Sequence, residues 1–152
     1  MLRGVSAISP DAKGRVALPK RYREELDALC DGVFVCTIDH QLPCLLLYPL
    51  PEWERIEAKL SRLSSLNPAE RRLQRLLLGH AFECEMDGQG RILIAPTLRE
   101  YAGLNGKAML VGQLNKFELW NSDKWQEQID QDIQIQAESA EALSDRLSNF
   151  SL

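Results

Sequence analysis

Two arginines stand at the same place in the same short pattern: Asp-x-x-Gly-Arg closes on Arg15 and again on Arg91. An arginine at the end of a rigid turn can present its planar fork to guanine O6 and N7, or to a phosphate. It can equally turn back and pair with the aspartate of its own turn, Asp11 or Asp87. The surroundings separate the two cases. Residues 1–23 hold six basic side chains against the single acid Asp11, although the whole chain has a formal net charge of -4. Fewer cations surround Arg91, so DNA is the expected partner of Arg15 and Asp87 that of Arg91. The acidity is concentrated in residues 121–152, where seven acids outnumber Lys124 and Arg146.

No other constellation carries comparable chemistry. Cys36, His40 and Cys44 lie four apart across a loop, yet a fourth ligand is missing and structural zinc sites use tighter cysteine pairs. Gly88-Gln-Gly90 lacks the third glycine of a dinucleotide loop, and no lysine-containing phosphate loop occurs. With only two histidines, no Ser-His-Asp or Cys-His set is signalled. Neither a metal, nor a cofactor, nor catalysis is expected. The four cysteines, irregularly spaced and without Cys-x-x-Cys, read as reduced thiols packed like small apolar side chains. The longest apolar stretch, residues 42–50, is interrupted by Pro43 and Pro49 and is too short to cross a bilayer. The first residues lack the apolar core of a secretory signal, so the expected location is cytoplasmic, with no membrane partner.

The turns need elements to hold them. A shift of 76 lays Asp11-Ala-Lys-Gly-Arg15 over Asp87-Gly-Gln-Gly-Arg91 and Arg23-Glu24 over Arg99-Glu100. A shift of 72 lays Leu45-Leu-Leu-Tyr48 over Phe117-Glu-Leu-Trp120, and Trp53 over Trp125. The chain is therefore a duplication. Asp11 and Asp87 can bond backbone two residues on, and Gly14 and Gly90 supply the positive φ of a tight turn. Pro19 and Pro96 suit the first turn of a helix, and Gly103 suits a helix end. Strands are expected over 33–38, 44–48, 108–111 and 117–120. Asn67-Pro68-x-Glu70 reads as an N-cap, a first-turn proline and a capping-box acid opening a helix over 68–78. Trp125, Ile129 and Ile133 predict a C-terminal helix, polar after Ala137, with the final dozen residues loose.

A two-stranded hairpin is marginal alone in water, so each short hairpin needs a partner for its Val16 or Ile92 face. The other copy is the natural one. One intertwined pseudo-symmetric body is expected rather than two beads on a linker, in the order 5–52 repeat 1, 53–80 helical linker, 81–124 repeat 2, and 125–152 C-terminal helix and tail.

These segments, with Pro19-Lys-Arg-Tyr-Arg23, Leu46-Leu-Tyr-Pro-Leu-Pro-Glu-Trp53, Arg72-Leu-Gln-Arg75 and Leu98-Arg-Glu-Tyr101, resemble the AbrB/SpoVT family of swapped-hairpin domains, in the tandem form of the MraZ family. The resemblance spans about residues 1–125. It implies an α+β fold of two pseudo-symmetric, intertwined swapped-hairpin β-barrel units with linking and C-terminal helices. It also implies a sequence-specific transcriptional regulator of the division and cell-wall gene cluster, binding repeated sites in double-stranded DNA upstream of its own gene. A ring of identical subunits, associated with the nucleoid, belongs to the same implication. Carried over by residue, the DNA-reading group centres on Arg15 with Lys13 in the turn, and Arg3, Lys20, Arg21 and Arg23 are phosphate-contact candidates. Asp11 and Gly14 form the turn, and Asp87, Gly90 and Arg91 are its second-copy counterpart. Gln89 in place of Lys13, and Thr97-Leu98 in place of Arg21-Tyr22, leave copy two electrostatically poorer.

Arg71, Arg72 and Arg75 read better as subunit contacts to acidic helix than as DNA contacts, and Tyr48, Trp53, Trp120 and Trp125 as structural aromatics. The competing reading of the whole is a non-catalytic, ring-forming scaffold without specific DNA binding.

Overall fold

Both copies run through the same series of elements in the computed structural model, which describes residues 1–138 and 144–152. In the first, β1 (Leu2–Ile8) enters the turn and β2 (Arg15–Ala17) leaves it, followed by α1 (Lys20–Cys30), β3 (Val33–Ile38) and β4 (Leu45–Pro49). Helices α2 (Leu50–Ser61) and α3 (Pro68–Gly79) lead to the second copy. This comprises β5 (Phe82–Glu85), β6 (Arg91–Leu93), α4 (Pro96–Ala102), β7 (Ala108–Leu114) and β8 (Phe117–Asn121). Then come α5 (Ser122–Glu138) and α6 (Asp145–Ser148). Residues 1–122 form one compact unit and residues 123–152 another.

The strands flanking each turn do not pair with one another. In the first unit β1 leaves for β7 and β5 for β3, giving an antiparallel sheet ordered β1-β7-β8-β4-β3-β5, while β2 and β6 form a separate two-stranded ribbon. Each short hairpin thus finds its partner in the other copy, as the marginal stability of an isolated hairpin requires. The six-stranded sheet is open, with β1 and β5 as its edges. The registers are symmetric under the repeat. In the ribbon, Val16 lies opposite its own counterpart Ile92. Where the copies meet in the sheet, Leu46 lies opposite its counterpart Glu118. A pseudo-two-fold axis relates the copies at both places.

Strands β3 and β4 are apolar at nearly every position because both faces are covered. Phe34, Cys36, Ile38, Leu45 and Leu47 enter the main core with Val16, Leu18, Leu26, Ile92, Ile94 and Leu98. The alternate residues Val35, Leu46 and Tyr48 join Trp53, Leu60 and Leu77 of α2 and α3 in a second core. Thr37, on the same strand, donates its hydroxyl to the Leu77 carbonyl at 2.7 Å. Phe34, Leu45 and Leu47 are fully buried, which contributes on the order of 2 kcal/mol each relative to exposure.

The local signals mostly act where expected, with three differences. Strand β7 runs to Leu114 rather than Val111, because β1 pairs along its whole length from Leu2↔Leu114 to Ile8↔Ala108. Pro96 is in the first turn of α4, but Pro19 is the residue preceding α1, equivalent by the repeat to Ala95. Asn67 caps α3 by accepting the Ala69 and Glu70 N–H groups at 3.0 and 3.1 Å. Glu70 accepts from Ser64 N–H rather than from the cap residue itself, so the capping box is not closed. Gly103 closes α4 at φ 66° as expected, while copy one uses Asp31 at φ 51° for the same end.

In the second unit the described residues include α5 from Asp123 onward and α6. Along α5, Gln126, Gln128 and Gln134 donate to Asp130, Asp132 and Glu138 at 2.8 to 3.1 Å, i to i+4 pairs that support an exposed helix. Of the final dozen residues, expected to be loose, 141–143 lie outside the described residues; beyond them Ser144 caps α6, its hydroxyl accepting the Leu147 N–H at 3.2 Å. Among the described residues no helix is long and apolar enough to cross a membrane.

Candidate nucleic-acid interface

The two Asp-x-x-Gly-Arg turns are built identically. Asp11 Oδ1 accepts the backbone N–H groups of Lys13 and Arg15, both at 2.9 Å, and Oδ2 accepts Arg15 Nε at 2.8 Å. Asp87 accepts from Gln89 N–H, Arg91 N–H and Arg91 Nε, all at 2.9 Å. Gly14 and Gly90 reach φ 84° and 76°, where a side chain is disfavoured. The Arg15 backbone N–H, joined by its guanidinium and the Lys13 N–H, holds the Asp11 carboxyl below its ordinary pKa, and the Arg91 and Gln89 groups do the same for Asp87. Both carboxylates therefore remain charged clamps through the neutral range.

The alternative of ion pair or DNA contact dissolves at this geometry, since both arginines make the ion pair. Only Nε is used for it. Among the described residues the Nη nitrogens of Arg15 and Arg91 have no hydrogen-bond partner. The pair fixes the guanidinium plane and leaves its terminal donors available, which makes ion pair and base contact compatible.

The ribbon sets the direction of these side chains. Successive residues of a strand point to opposite faces. Val16 and Ile92 are buried on the inner face, so Arg15, Ala17, Arg91 and Leu93 share the outer one. Arg15 is opposite Leu93, and Arg91 is opposite Ala17. A two-stranded ribbon is narrow enough to enter the major groove.

Each turn is braced by the other copy. Leu18 N–H donates to Gly90 O at 2.9 Å and Ile94 N–H to Gly14 O at 3.1 Å. Arg23 donates Nε to Leu18 O at 3.1 Å and lies so close to Gly90 that a Cβ there would stand 2.3 Å from Nε. Arg99 donates Nε to Ile94 O at 3.0 Å, and a Cβ on Gly14 would stand 2.5 Å from its guanidinium. Arg23 of copy one therefore supports turn two, and Arg99, which sequence reasoning did not single out, supports turn one. The signal was present in the alignment of Arg23-Glu24 with Arg99-Glu100. What hid its meaning was the crossing of the chain.

The other expected residues divide. Lys13 is exposed at the turn beside Arg15, and Lys20 is exposed as the first residue of α1. Arg21 donates Nη2 to Ser6 Oγ at 2.7 Å and to the Tyr22 hydroxyl at 2.8 Å, and sits over the Tyr22 ring at 4.7 Å. Tyr22 in turn donates its hydroxyl to the Arg3 carbonyl. Arg21 thus ties α1 to the edge strand β1, on which the Arg3 side chain is exposed. Lys20 and Arg23 line a groove of about 440 Å³ with Ser6 and Ser9. The repeat-related groove, about 420 Å³, is lined by Phe82, Glu83, Glu85 and Leu93.

Cys36 and Cys44 are buried and His40 is exposed. Among the described residues no three metal-ligating side chains converge. Burial pushes the Cys84 thiol up to about 12 and the Cys36 and Cys44 thiols higher than usual. Tyr48 and Trp53 meet in the second core with ring centroids 5.8 Å apart.

Comparison with known proteins agrees with the duplication. The family model described as "MraZ protein, putative antitoxin-like" matches twice in tandem, over residues 1–76 and 77–148. A protein of Idiomarina loihiensis named "Transcriptional regulator MraZ" is 60% identical over 152 residues, covering 100% of both chains. Proteins of the same name from Yersinia pseudotuberculosis and Yersinia pestis are each 62% identical over 152 residues, again with 100% of both chains covered.

Proposed function

The chain belongs to the MraZ family, and on that premise we propose that it is a sequence-specific, DNA-binding transcriptional regulator rather than an enzyme. Its sites are repeated sequences upstream of its own gene, its targets are the division and cell-wall genes, and it acts in the cytoplasm on the nucleoid as a ring of identical subunits. The observation that carries the reading is the outer face of the β2–β6 ribbon, where two arginines are each held by an aspartate through Nε and keep their terminal donors available. Arg15 reads a base edge, with Lys13 beside it. Arg3 and Lys20 contact phosphates on the flank, and Arg21 and Arg23 act chiefly by holding β1 and turn two in place. Residues 5–52 and 81–124 serve as the two repeats, 53–80 as their linker, and 125–152 as the C-terminal helix and tail.

The edges of the sheet support assembly. An unpaired edge strand invites association unless it is protected. The two free edges belong to different strands, β1 and β5, and pairing of unlike edges is a head-to-tail contact, the kind that closes into a ring.

The test is an anisotropy titration of wild type and Arg15→Ala against duplex from the region upstream of the chain's own gene and against a scrambled duplex. Arg15→Ala should lose at least about fivefold on the upstream duplex, the low end for one bidentate base contact, and little on the scrambled one, with Tm nearly unchanged. Equal, weak wild-type binding to both duplexes at moderate salt would leave the scaffold reading standing instead.

A further inference from the structure

The residue directly across the ribbon from Arg15 is Leu93, contributed by the other copy. Its side chain is 55% exposed. On the same face the residue across from Arg91 is Ala17, so the two arginines have unequal neighbours. A leucine at this exposed position on a short ribbon has no role in the core, whose inner face is filled by Val16 and Ile92. Directly opposed side chains in an antiparallel pair have Cβ atoms roughly 5 Å apart, and stacked base pairs are separated by about 3.4 Å. An arginine at a guanine edge therefore brings its cross-strand neighbour to an adjacent base pair. The apolar feature available there is the C5-methyl of thymine.

We propose that Leu93 is a specificity-determining residue that contacts the methyl group of a thymine next to the guanine read by Arg15. One base step is then read by a composite of the two copies, with the polar half from the first and the apolar half from the second. The inference rests on the reading of the ribbon as the DNA-contacting element. It gives the exposed leucine a partner whose chemistry fits it, and it gives copy two a direct part in recognition that its charge does not suggest. Ala17, beside Arg91, offers only its Cβ, so any apolar contact beside the second arginine is smaller.

The experiment replaces each thymine of the upstream duplex, one at a time, by deoxyuridine, which removes only the methyl group. Wild type should show a thymine whose replacement weakens binding about fourfold, the equivalent of one buried methyl group. Leu93→Ala should bind the unmodified duplex several-fold more weakly and be indifferent to deoxyuridine at that position, while Leu93→Met, which restores apolar bulk, should recover the sensitivity. Absence of any sensitive thymine in wild type, or a sensitivity that Leu93→Ala leaves intact, would overturn the inference. A change in native mass on Leu93→Ala would overturn it too, because Leu93 also lines the groove beside β5 and would then belong to a subunit contact. The Arg15→Ala arm separates this from the parent reading: retained specific binding there sinks the ribbon hypothesis itself, whereas its loss beside an unchanged deoxyuridine pattern sinks only the role of Leu93.

Discussion

Turn one and turn two are the same structure in different company. Their aspartate clamps agree to within 0.1 Å, each is braced by an arginine from the opposite copy, and both arginines point from the same face of one ribbon. The differences are all at the solvent side: Lys13 against Gln89, Leu93 beside Arg15 against Ala17 beside Arg91, and Ser6 and Ser9 against Phe82 and Glu85 in the flanking grooves. Bonds that fix the backbone have stayed equal while the surfaces have diverged. Any inequality in DNA reading must therefore arise from the outward side chains and not from the turns.

The hardest blow to that equality is delivered at the shared axis. Ile92→Ala empties a fully buried position of the ribbon and should cost about 3 kcal/mol of stability, with both turns losing their support together; a Tm fall of only a degree or two would mean that the ribbon relaxes around the gap. Gly14→Ala and Gly90→Ala come next. Each forces a Cβ into the left-handed region and into the opposing arginine, for about 2 kcal/mol. The two losses should match within error, and a clear inequality in denaturant midpoints would show that the braces are not equivalent. Arg91→Ala should weaken specific DNA binding by less than Arg15→Ala, on the order of 1 kcal/mol; identical losses in the same titration would mean that the copies read DNA symmetrically. The smallest change is Gln89→Lys, which gives turn two the cation of turn one. It should raise affinity modestly on every sequence and steepen the slope of log K against log salt by about one. An unaltered slope would put turn two away from phosphate.

Much of this was legible before the fold. The duplication, the turn chemistry of Asp11, Gly14, Asp87 and Gly90, and most strand positions follow from local pattern, because turns and short apolar runs are determined within a few residues; the α+β class came with the family resemblance. The pairing partner of each hairpin was legible as a need rather than a geometry. The bracing of turn one by Arg99, and the placing of Leu93 beside Arg15, were not, because they depend on which copy crosses to which. Arg23 illustrates the point. Its charge suggested a phosphate contact beside Arg15; the crossover also sets its guanidinium against Gly90 while its Nε donates to the Leu18 carbonyl. Charge counted along the chain does not show this placement, since neighbours in sequence are not neighbours at the ribbon.

The pairing of Leu2 with Leu114 also sets an order in time. On a ribosome that adds roughly 5–20 residues per second, the first strand emerges about ten seconds before the strand that will receive it, and until then it has no place in the sheet. Its counterpart β5 can join β3, made well before it, almost as soon as it appears. The two copies, equal in the finished molecule, are thus unequal at birth: the second closes on what is already there, and the first waits for nearly the whole chain.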